Sequence, residues 1–196
     1  HWVTSTYYME ELPKWVEKFN KSKAAENYKK AWKPLYDIDT YTESIEDNNI
    51  YEGAFSGEKT PTFPHDLPKI WNENGKFDLL KGVPFGNSLT VDFAEAAIEG
   101  EDIGKDNITD FIAISFSATD YVGHRFGVSA KETEDTYLRL DQDLARLFTY
   151  LDKEVGKGEY TVFLTADHAA VEVPSYLESM EIPGGYFKRE ARPTES

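Results

Sequence analysis

The fold class is indicated most strongly by Asp110-Phe111-Ile112-Ala113-Ile114-Ser115-Phe116-Ser117-Ala118-Thr119-Asp120-Tyr121-Val122-Gly123-His124. Its first half is rich in β-branched and aromatic residues, a composition that predicts a buried strand over residues 110–116. Its second half places a carboxylate and an imidazole, Asp120 and His124, just beyond the end of that strand. In open α/β sheets, binding sites form beyond the carboxyl ends of the strands.

The same arrangement recurs further along the chain. Residues 160–165 read Tyr-Thr-Val-Phe-Leu-Thr, which predicts a second buried strand, and Asp167 and His168 follow it closely. A strand, a helix and a second strand form a right-handed crossover unit, so the two strands are expected to be parallel. Both Asp/His pairs would then emerge at the same edge of the sheet.

The segment between the two strands has the strongest helical pattern in the chain. Ser129-Ala130-Lys131-Glu132 matches a capping box, in which a hydroxyl and a carboxylate satisfy free backbone donors at a helix start. Gly156 is the expected stop. The predicted apolar face consists of Tyr137, Leu140, Leu144, Leu147, Phe148, Leu151 and Val155.

Carboxylate and imidazole pairs have two opposed interpretations. Zinc binds both donor types, and Gly123 would allow the loop from Asp120 to His124 to turn tightly around one ion. Taken alone, that pair is equally explained as a solvated loop pair or a helix cap, and Asp167 and His168 as a cap beside a core histidine. Two such pairs across one crossover unit favour a metal-dependent hydrolase.

The rest of the chain divides into two parts. Residues 1–86 are polar, aromatic-rich and irregular, which is typical of a cap or inserted region, and residues 87–196 form the predicted α/β core segment. His65 lies among turn residues and is predicted to be a surface or capping residue. Shorter helices are predicted over Met9–Phe19, over Ser88–Ile98 and after Pro174. The second of these would have Asn87 or Ser88 as its N-cap and Gly100 as its end. A polar tail is expected after Pro183-Gly184-Gly185.

Composition narrows the functional classes. A net charge of -15 without a Lys/Arg cluster argues against binding to a nucleic-acid backbone. The chain has no cysteine, which excludes disulfides, thiolate metal sites and a cysteine nucleophile. No apolar stretch reaches the length of a membrane span.

At these residues the chain resembles the alkaline phosphatase superfamily, in particular the bacterial alkaline phosphatases related to type I phosphodiesterases and nucleotide pyrophosphatases. The stretches that carry the resemblance run in order through most of the chain. They are Trp2–Tyr8, Leu12–Val16, Pro84–Ser88, Ser117–Gly127, Tyr137–Asp141 and Thr165–His168. The family usually has Gly after its Asp-His pair, where this chain has Ala169.

The resemblance implies an alkaline-phosphatase-like α/β fold with a largely parallel sheet, flanking helices and two zinc ions at the sheet edge. It implies that Asp120 and His124 bind one zinc and that Asp167 and His168 bind the other. The family hydrolyses phosphate esters through a phosphorylated Thr or Ser, a nucleophile that lies upstream of the region matching His1. Further metal ligands lie upstream of His1 and downstream of Ser196, so we expect this chain to be an internal, inactive piece of a larger periplasmic or secreted enzyme.

Other functions remain open from the sequence. Within the same superfamily, a phosphodiesterase or nucleotide pyrophosphatase is one alternative, and a phosphosugar mutase that uses manganese is another. A third alternative belongs to a different class, a non-catalytic domain that binds a partner or stabilises a larger assembly. The natural substrate and the oligomeric state cannot be predicted from these residues.

Overall fold

The computed structural model of the protein describes residues 1–186, and the predicted polar tail beyond them lies outside the described residues. The described chain is mostly helical. Short 3-10 turns cover Ala24–Tyr28, Ile38–Thr40 and Lys76–Gly82, and a π turn covers Asp152–Gly156. The α-helices are α1 (Lys14–Lys21), α2 (Leu67–Ile70), α3 (Phe85–Gly100), α4 (Ala118–Phe126), α5 (Lys131–Leu151) and α6 (Pro174–Ser179).

The two predicted strands are not formed within residues 1–186. The only pairing of β type there is an isolated antiparallel bridge between Trp32 and His65. A strand is defined by hydrogen bonds to a neighbouring strand, and segments 110–116 and 160–165 have no such neighbour in the described part of the chain. The predicted crossover unit is therefore present here only as its long helix, α5.

The first of these segments nevertheless has the side-chain alternation of a strand. Ile112, Ile114 and Phe116 are partly buried and pack against a cluster of Val91, Ile98 and Leu147 from α3 and α5. Phe111, on the alternate side, is 88% exposed. Burial that alternates with a period of two indicates an extended chain with one face on the core.

The second segment is less buried than its sequence predicts. Phe163 is 88% exposed and Leu164 71% exposed, although apolar runs of this kind are typical of buried strands. These and other exposed apolar side chains in and beside the two segments are here named the open edge. The open edge consists of Ile108, Phe111, Val162, Phe163, Leu164 and Val171.

The larger hydrophobic cluster joins the first part of the chain to the core helices. Phe85 of α3 and Val122 and Phe126 of α4 pack against Trp32, Phe55, Leu67, Ile70, Trp71, Leu79, Leu80 and Val83. This cluster therefore contains side chains from both sides of residue 86, and the division of the chain into parts 1–86 and 87–196 stays a prediction.

A buried carboxylate also ties the first part to α5. Asp135 is fully buried and accepts hydrogen bonds from Trp32 Nε1 at 2.6 Å and from the backbone N–H of Leu35 at 2.7 Å. Tyr41 donates its hydroxyl to the same carboxylate, and Arg139 donates Nε at 2.6 Å. Four donors satisfy both carboxylate oxygens, which offsets the cost of burying the charge.

Helix boundaries differ from the sequence prediction at several ends. α1 begins at Lys14, after Pro13, rather than at Met9. The N-cap of α3 is Pro84, so that helix begins before Asn87 and Ser88. Gly100 is its last residue, and the reason for glycine is contact: a Cβ there would lie 2.3 Å from Trp15 Cγ. The short helix predicted after Pro174 is confirmed as α6.

The predicted capping box of α5 is wrong. The N-cap of α5 is Ala130, and no side chain caps the helix start. Ser129 donates its hydroxyl to Glu172 at 2.5 Å, while Glu132 is fully buried and pairs with His65. Both side chains make long-range contacts instead of satisfying the local backbone, a case of tertiary structure overriding a local motif.

Candidate metal centre

Asp120 and His124 lie on one face of a helix rather than in a loop. They occupy positions i and i+4 of α4, a spacing that brings side chains together on a helix surface. Asp120 Oδ1 is 3.5 Å from His124 Nε2. Gly123 lies inside this helix, with space around it for a Cβ, so the predicted tight turn at Gly123 is wrong. Gly127, with φ of 95°, ends the helix instead.

Neighbouring segments hold both ends of α4 in place. At its C-terminal end, the backbone N–H of Gly53 donates to the carbonyl of Arg125 at 2.8 Å. The guanidinium of Arg125 donates to the carbonyl of Ala54 at 3.1 Å and lies over the Phe55 ring. At its N-terminal end, Asn87 of α3 donates to Thr119. The helix that carries the first Asp/His pair is thus fixed by residues distant in sequence.

The second pair lies beside the first. His168 Nε2 is 3.5 Å from Asp120 Oδ1 and 3.9 Å from Asp167 Oδ2. The carboxylate of Asp120 therefore lies next to both imidazoles, although His124 and His168 come from separate segments. The structure brings together all four residues that the sequence singled out.

The imidazole of His168 is held by a backbone carbonyl on one side and faces carboxylates on the other. Its Nδ1 lies 3.1 Å from the backbone carbonyl of Ala169, and because a carbonyl only accepts, Nδ1 carries the proton. That tautomer leaves the lone pair of Nε2 free on the side of the carboxylates. The hydrogen bond to Ala169, with the charges of Asp167 and Asp120, raises the pKa of His168.

The site is open to solvent. The side chains of Asp120, His124, His168 and Asp167 are 46%, 76%, 58% and 93% exposed. Among residues 1–186, no group of three or more His, Asp or Glu side chains is arranged to hold one metal ion. The candidate ligands therefore form two pairs, each with one carboxylate and one imidazole. Their donor atoms are those that zinc accepts, and each pair supplies half of a tetrahedral ligand set.

The prediction that His65 lies at the surface is wrong. It is fully buried among aromatic rings, and its two ring nitrogens bond carboxylates on opposite sides. Nδ1 lies 3.0 Å from Glu58 and Nε2 lies 3.1 Å from Glu132. Because both nitrogens are already bonded inside the core, this histidine is separate from the candidate metal centre. The burial of His65 was not predicted because the residue stands in Phe-Pro-His-Asp, a sequence rich in turn signals.

Sequence analysis also missed the residues that support the site. Asn87 and Thr119 appeared only as a possible N-cap and as part of a family motif. A buried amide that contacts the residue before a metal-type ligand has no local sequence signal, because the contact joins positions 32 residues apart.

These donors are of the types that bind divalent metal ions, and they lie on a helix and a nearby loop. The chain belongs to the type I phosphodiesterase / nucleotide pyrophosphatase family, whose model matches residues 2–190.

None of the helices among residues 1–186 is both long and apolar enough to cross a bilayer.

Relatives and a solved structure are similar over nearly the whole chain. A Myroides odoratus protein named calcium-transporting ATPase is 53% identical over 97% of this chain. The alkaline phosphatase PafA of Elizabethkingia meningoseptica is 50% identical over 94% of it. The crystal structure of wild-type alkaline phosphatase PafA superposes with a TM-score of 0.89, covering 94% of this chain and 35% of that chain. The chain spans 35% and 34% of the lengths of the two relatives.

Proposed function

We propose that this chain is part of a zinc-dependent phosphomonoesterase of the alkaline phosphatase type. The observation that carries the proposal is the position of Asp120, whose carboxylate lies 3.5 Å from the imidazoles of both His124 and His168. Membership of the phosphodiesterase family and similarity to proteins named alkaline phosphatase support it.

In this proposal each pair supplies ligands to one of two zinc ions. Asp120 and His124 would hold the first, and Asp167 and His168 the second. Bound zinc polarises a phosphoryl oxygen and lowers the pKa of a nucleophile. The chain's own residues orient that chemistry: α4 fixes the spacing of Asp120 and His124, and the Ala169 carbonyl holds the His168 ring through Nδ1, which in the neutral imidazole leaves Nε2 as the metal-binding atom.

The reaction itself is proposed to require groups beyond these pairs. A Thr or Ser would attack the phosphate ester and form a phosphoenzyme that water then hydrolyses. By resemblance, that hydroxyl and the remaining metal ligands lie outside the sequence of this chain. We therefore expect the 196-residue chain alone to show negligible hydrolysis of an aryl phosphate. Sustained turnover by the purified chain would contradict this expectation.

A second candidate activity is the hydrolysis of phosphodiesters. The description of the matching family, type I phosphodiesterase / nucleotide pyrophosphatase, favours it. The two activities would use the same metal chemistry. They would differ in the protein groups that contact the part of the substrate that is not transferred. Comparing an aryl phosphate monoester with a diaryl phosphate on the whole enzyme would separate them. A periplasmic or secreted location is also a proposal, and cell fractionation would check it.

Zinc binding by the chain tests the proposal most simply. In calorimetry we expect about two ions per chain, as a two-metal site implies, with one lost in Asp120→Ala and the other in Asp167→Ala. Asp141→Ala is the matched control, because it removes an exposed carboxylate from α5. Equal zinc binding by all four proteins would refute the assignment of these residues, and manganese can be titrated in the same way to identify the preferred ion.

A further inference from the structure

The first turns of α3 and α4 meet beside the candidate metal centre. Asn87, in the first turn of α3, is 1% exposed, and its Nδ2 donates to Thr119 Oγ1 at 2.9 Å. Thr119 directly precedes Asp120 in the first turn of α4. A buried amide thus donates to the side chain of the residue next to a metal-type ligand.

Gly86 allows this contact to be so close. A Cβ on Gly86 would lie 2.4 Å from the carbonyl oxygen of Leu80 and 3.1 Å from Cβ of Ala118. The nearer neighbour belongs to the 3-10 turn Lys76–Gly82 and the other to α4, so a larger residue would move α3 away from both. Glycine at position 86 therefore permits the close packing of α3 in which the Asn87 amide reaches Thr119.

The amide of Asn87 is not explained by stability. Its Oδ1 is buried and accepts no hydrogen bond within the described part of the chain. An unsatisfied buried polar atom destabilises the folded state, whereas an apolar side chain of similar size would avoid that cost. The next residue, Ser88, donates instead to Asp143 of α5 at 2.7 Å, so adjacent polar side chains of α3 bond different helices.

We infer that Asn87 is a positioning residue for the metal ligands on α4 and acts through Thr119. This inference rests on the proposed zinc function of Asp120 and His124. The hydrogen bond fixes the first turn of α4, and with it the direction in which Asp120 presents its carboxylate. Residues that orient a metal ligand typically change metal affinity 10–100-fold when they are replaced.

The test is a zinc titration of the full 196-residue chain, followed through the imidazole resonances of His124 and His168, which detects weak as well as tight binding. The variants are Asn87→Leu, Thr119→Val, their double mutant and Thr119→Ser. We expect zinc affinity at the Asp120 site to fall about tenfold in Asn87→Leu and in Thr119→Val. The double mutant should lose no more than either single mutant, because both remove one hydrogen bond. Thr119→Ser, which keeps the hydroxyl, should retain the wild-type affinity.

Controls separate positioning from general destabilisation. Ser88→Ala removes a contact between α3 and α5 and should leave zinc affinity unchanged. Urea unfolding of each variant reports stability, and Asn87→Leu should be at least as stable as the wild type while binding zinc more weakly. If Asn87→Leu does not fold, the pair Thr119→Val and Thr119→Ser provides the same comparison.

Two different results would overturn the inference, and each refutes a different part of it. Unchanged affinity in Thr119→Val and Asn87→Leu, with zinc bound by the wild type, refutes the role of Asn87 alone. No zinc binding by the wild type refutes the proposed metal function, and the inference with it.

Discussion

At the scale of single residues, burial and hydrogen bonding together shift the pKa values of His65 and Glu52. Burial is the largest influence on His65 and lowers its pKa, but the hydrogen bonds with Glu132 and Glu58 outweigh it and raise the pKa to about 9. Glu52 lies in the same region, where burial and the charge of Glu132 raise its pKa to about 8. In both groups the folded protein retains a proton that the unfolded chain loses at lower pH.

A dependence of stability on pH follows from these two groups. For His65, with an unfolded pKa near 6.5, the stabilisation is complete below pH 6.5 and is lost as pH rises through 9. Its size is about 3 kcal/mol for a shift of this kind. The raised pKa of Glu52 acts in the same direction between pH 4.5 and 8. We therefore predict that the free energy of unfolding, measured in urea, falls steadily from pH 6 to pH 9.

Glu52→Gln provides the comparison for that experiment. It removes one titrating group and keeps the size of the side chain, so its stability should fall less steeply below pH 8. A free energy of unfolding that rises between pH 6 and 9 would contradict the assignment of a charged His65 between Glu58 and Glu132.

At the scale of helices, two glycines have opposite roles. Gly100 ends α3 where the Trp15 ring of α1 packs against it, and a Cβ there would lie 2.3 Å from Cγ of that ring. Gly123 lies inside α4, where a Cβ would meet no atom within 4 Å. One glycine is required by packing, and the other only weakens its helix.

Alanine substitutions should therefore change stability in opposite directions. Gly123→Ala should raise the free energy of unfolding by about 0.5–1 kcal/mol, because alanine loses less backbone entropy in a helix. Gly100→Ala should lower it by about 1–3 kcal/mol, the usual cost of overpacking. Thermal unfolding of the two variants beside the wild type measures both. Equal shifts in the two variants would show that α1 does not pack on α3 as described.

The sequence predicted helices better than it predicted strands. α5 and α6 were found because apolar periodicity, glycine and proline are local signals. The strand character of segment 110–116 was also visible, and its alternating burial agrees with it. A strand, however, also needs a neighbour, and no neighbour lies within residues 1–186, so a local pattern could not foresee the outcome.

The four candidate ligands could also be predicted from local signals. These residues, which are Asp120, His124, Asp167 and His168, lie in short motifs whose residue types indicate metal binding. The contacts that support these four residues have no such local signal in the sequence. The hydrogen bond from Asn87 to Thr119 and the burial of His65 depend on how distant segments pack, and the apparent loop around Asp120 proved to be a helix because its glycine was mistaken for a turn signal.

At the scale of the whole molecule, the open edge is the most unusual feature. Six apolar side chains in and beside the two extended segments are exposed, among them Phe111 and Phe163, each 88% exposed. Exposed apolar patches mark interaction sites, and unpaired extended backbone invites strand pairing. The chain spans only about a third of its relatives' length, so additional strands are the natural partner in the proposed whole enzyme.

We predict that the open edge makes the 196-residue chain self-associate. The double variant Phe111→Lys/Phe163→Lys should shift the chain towards the monomer in sedimentation velocity, because each charge opposes apolar contact. Its melting temperature should stay close to that of the wild type, since both side chains are exposed. Phe126→Lys is the contrasting control: it places a charge in the core and should unfold the protein. A monomeric wild type would contradict the prediction.

In the proposed function, this molecule supplies half of the protein ligands for each of two zinc ions. Anomalous diffraction at the zinc edge, from crystals grown with zinc, locates such ions directly. We expect one peak about 2.0–2.2 Å from donor atoms of Asp120 and His124, and a second at that distance from Asp167 and His168. Zinc bound only elsewhere on the molecule, with none at these four side chains, would contradict it.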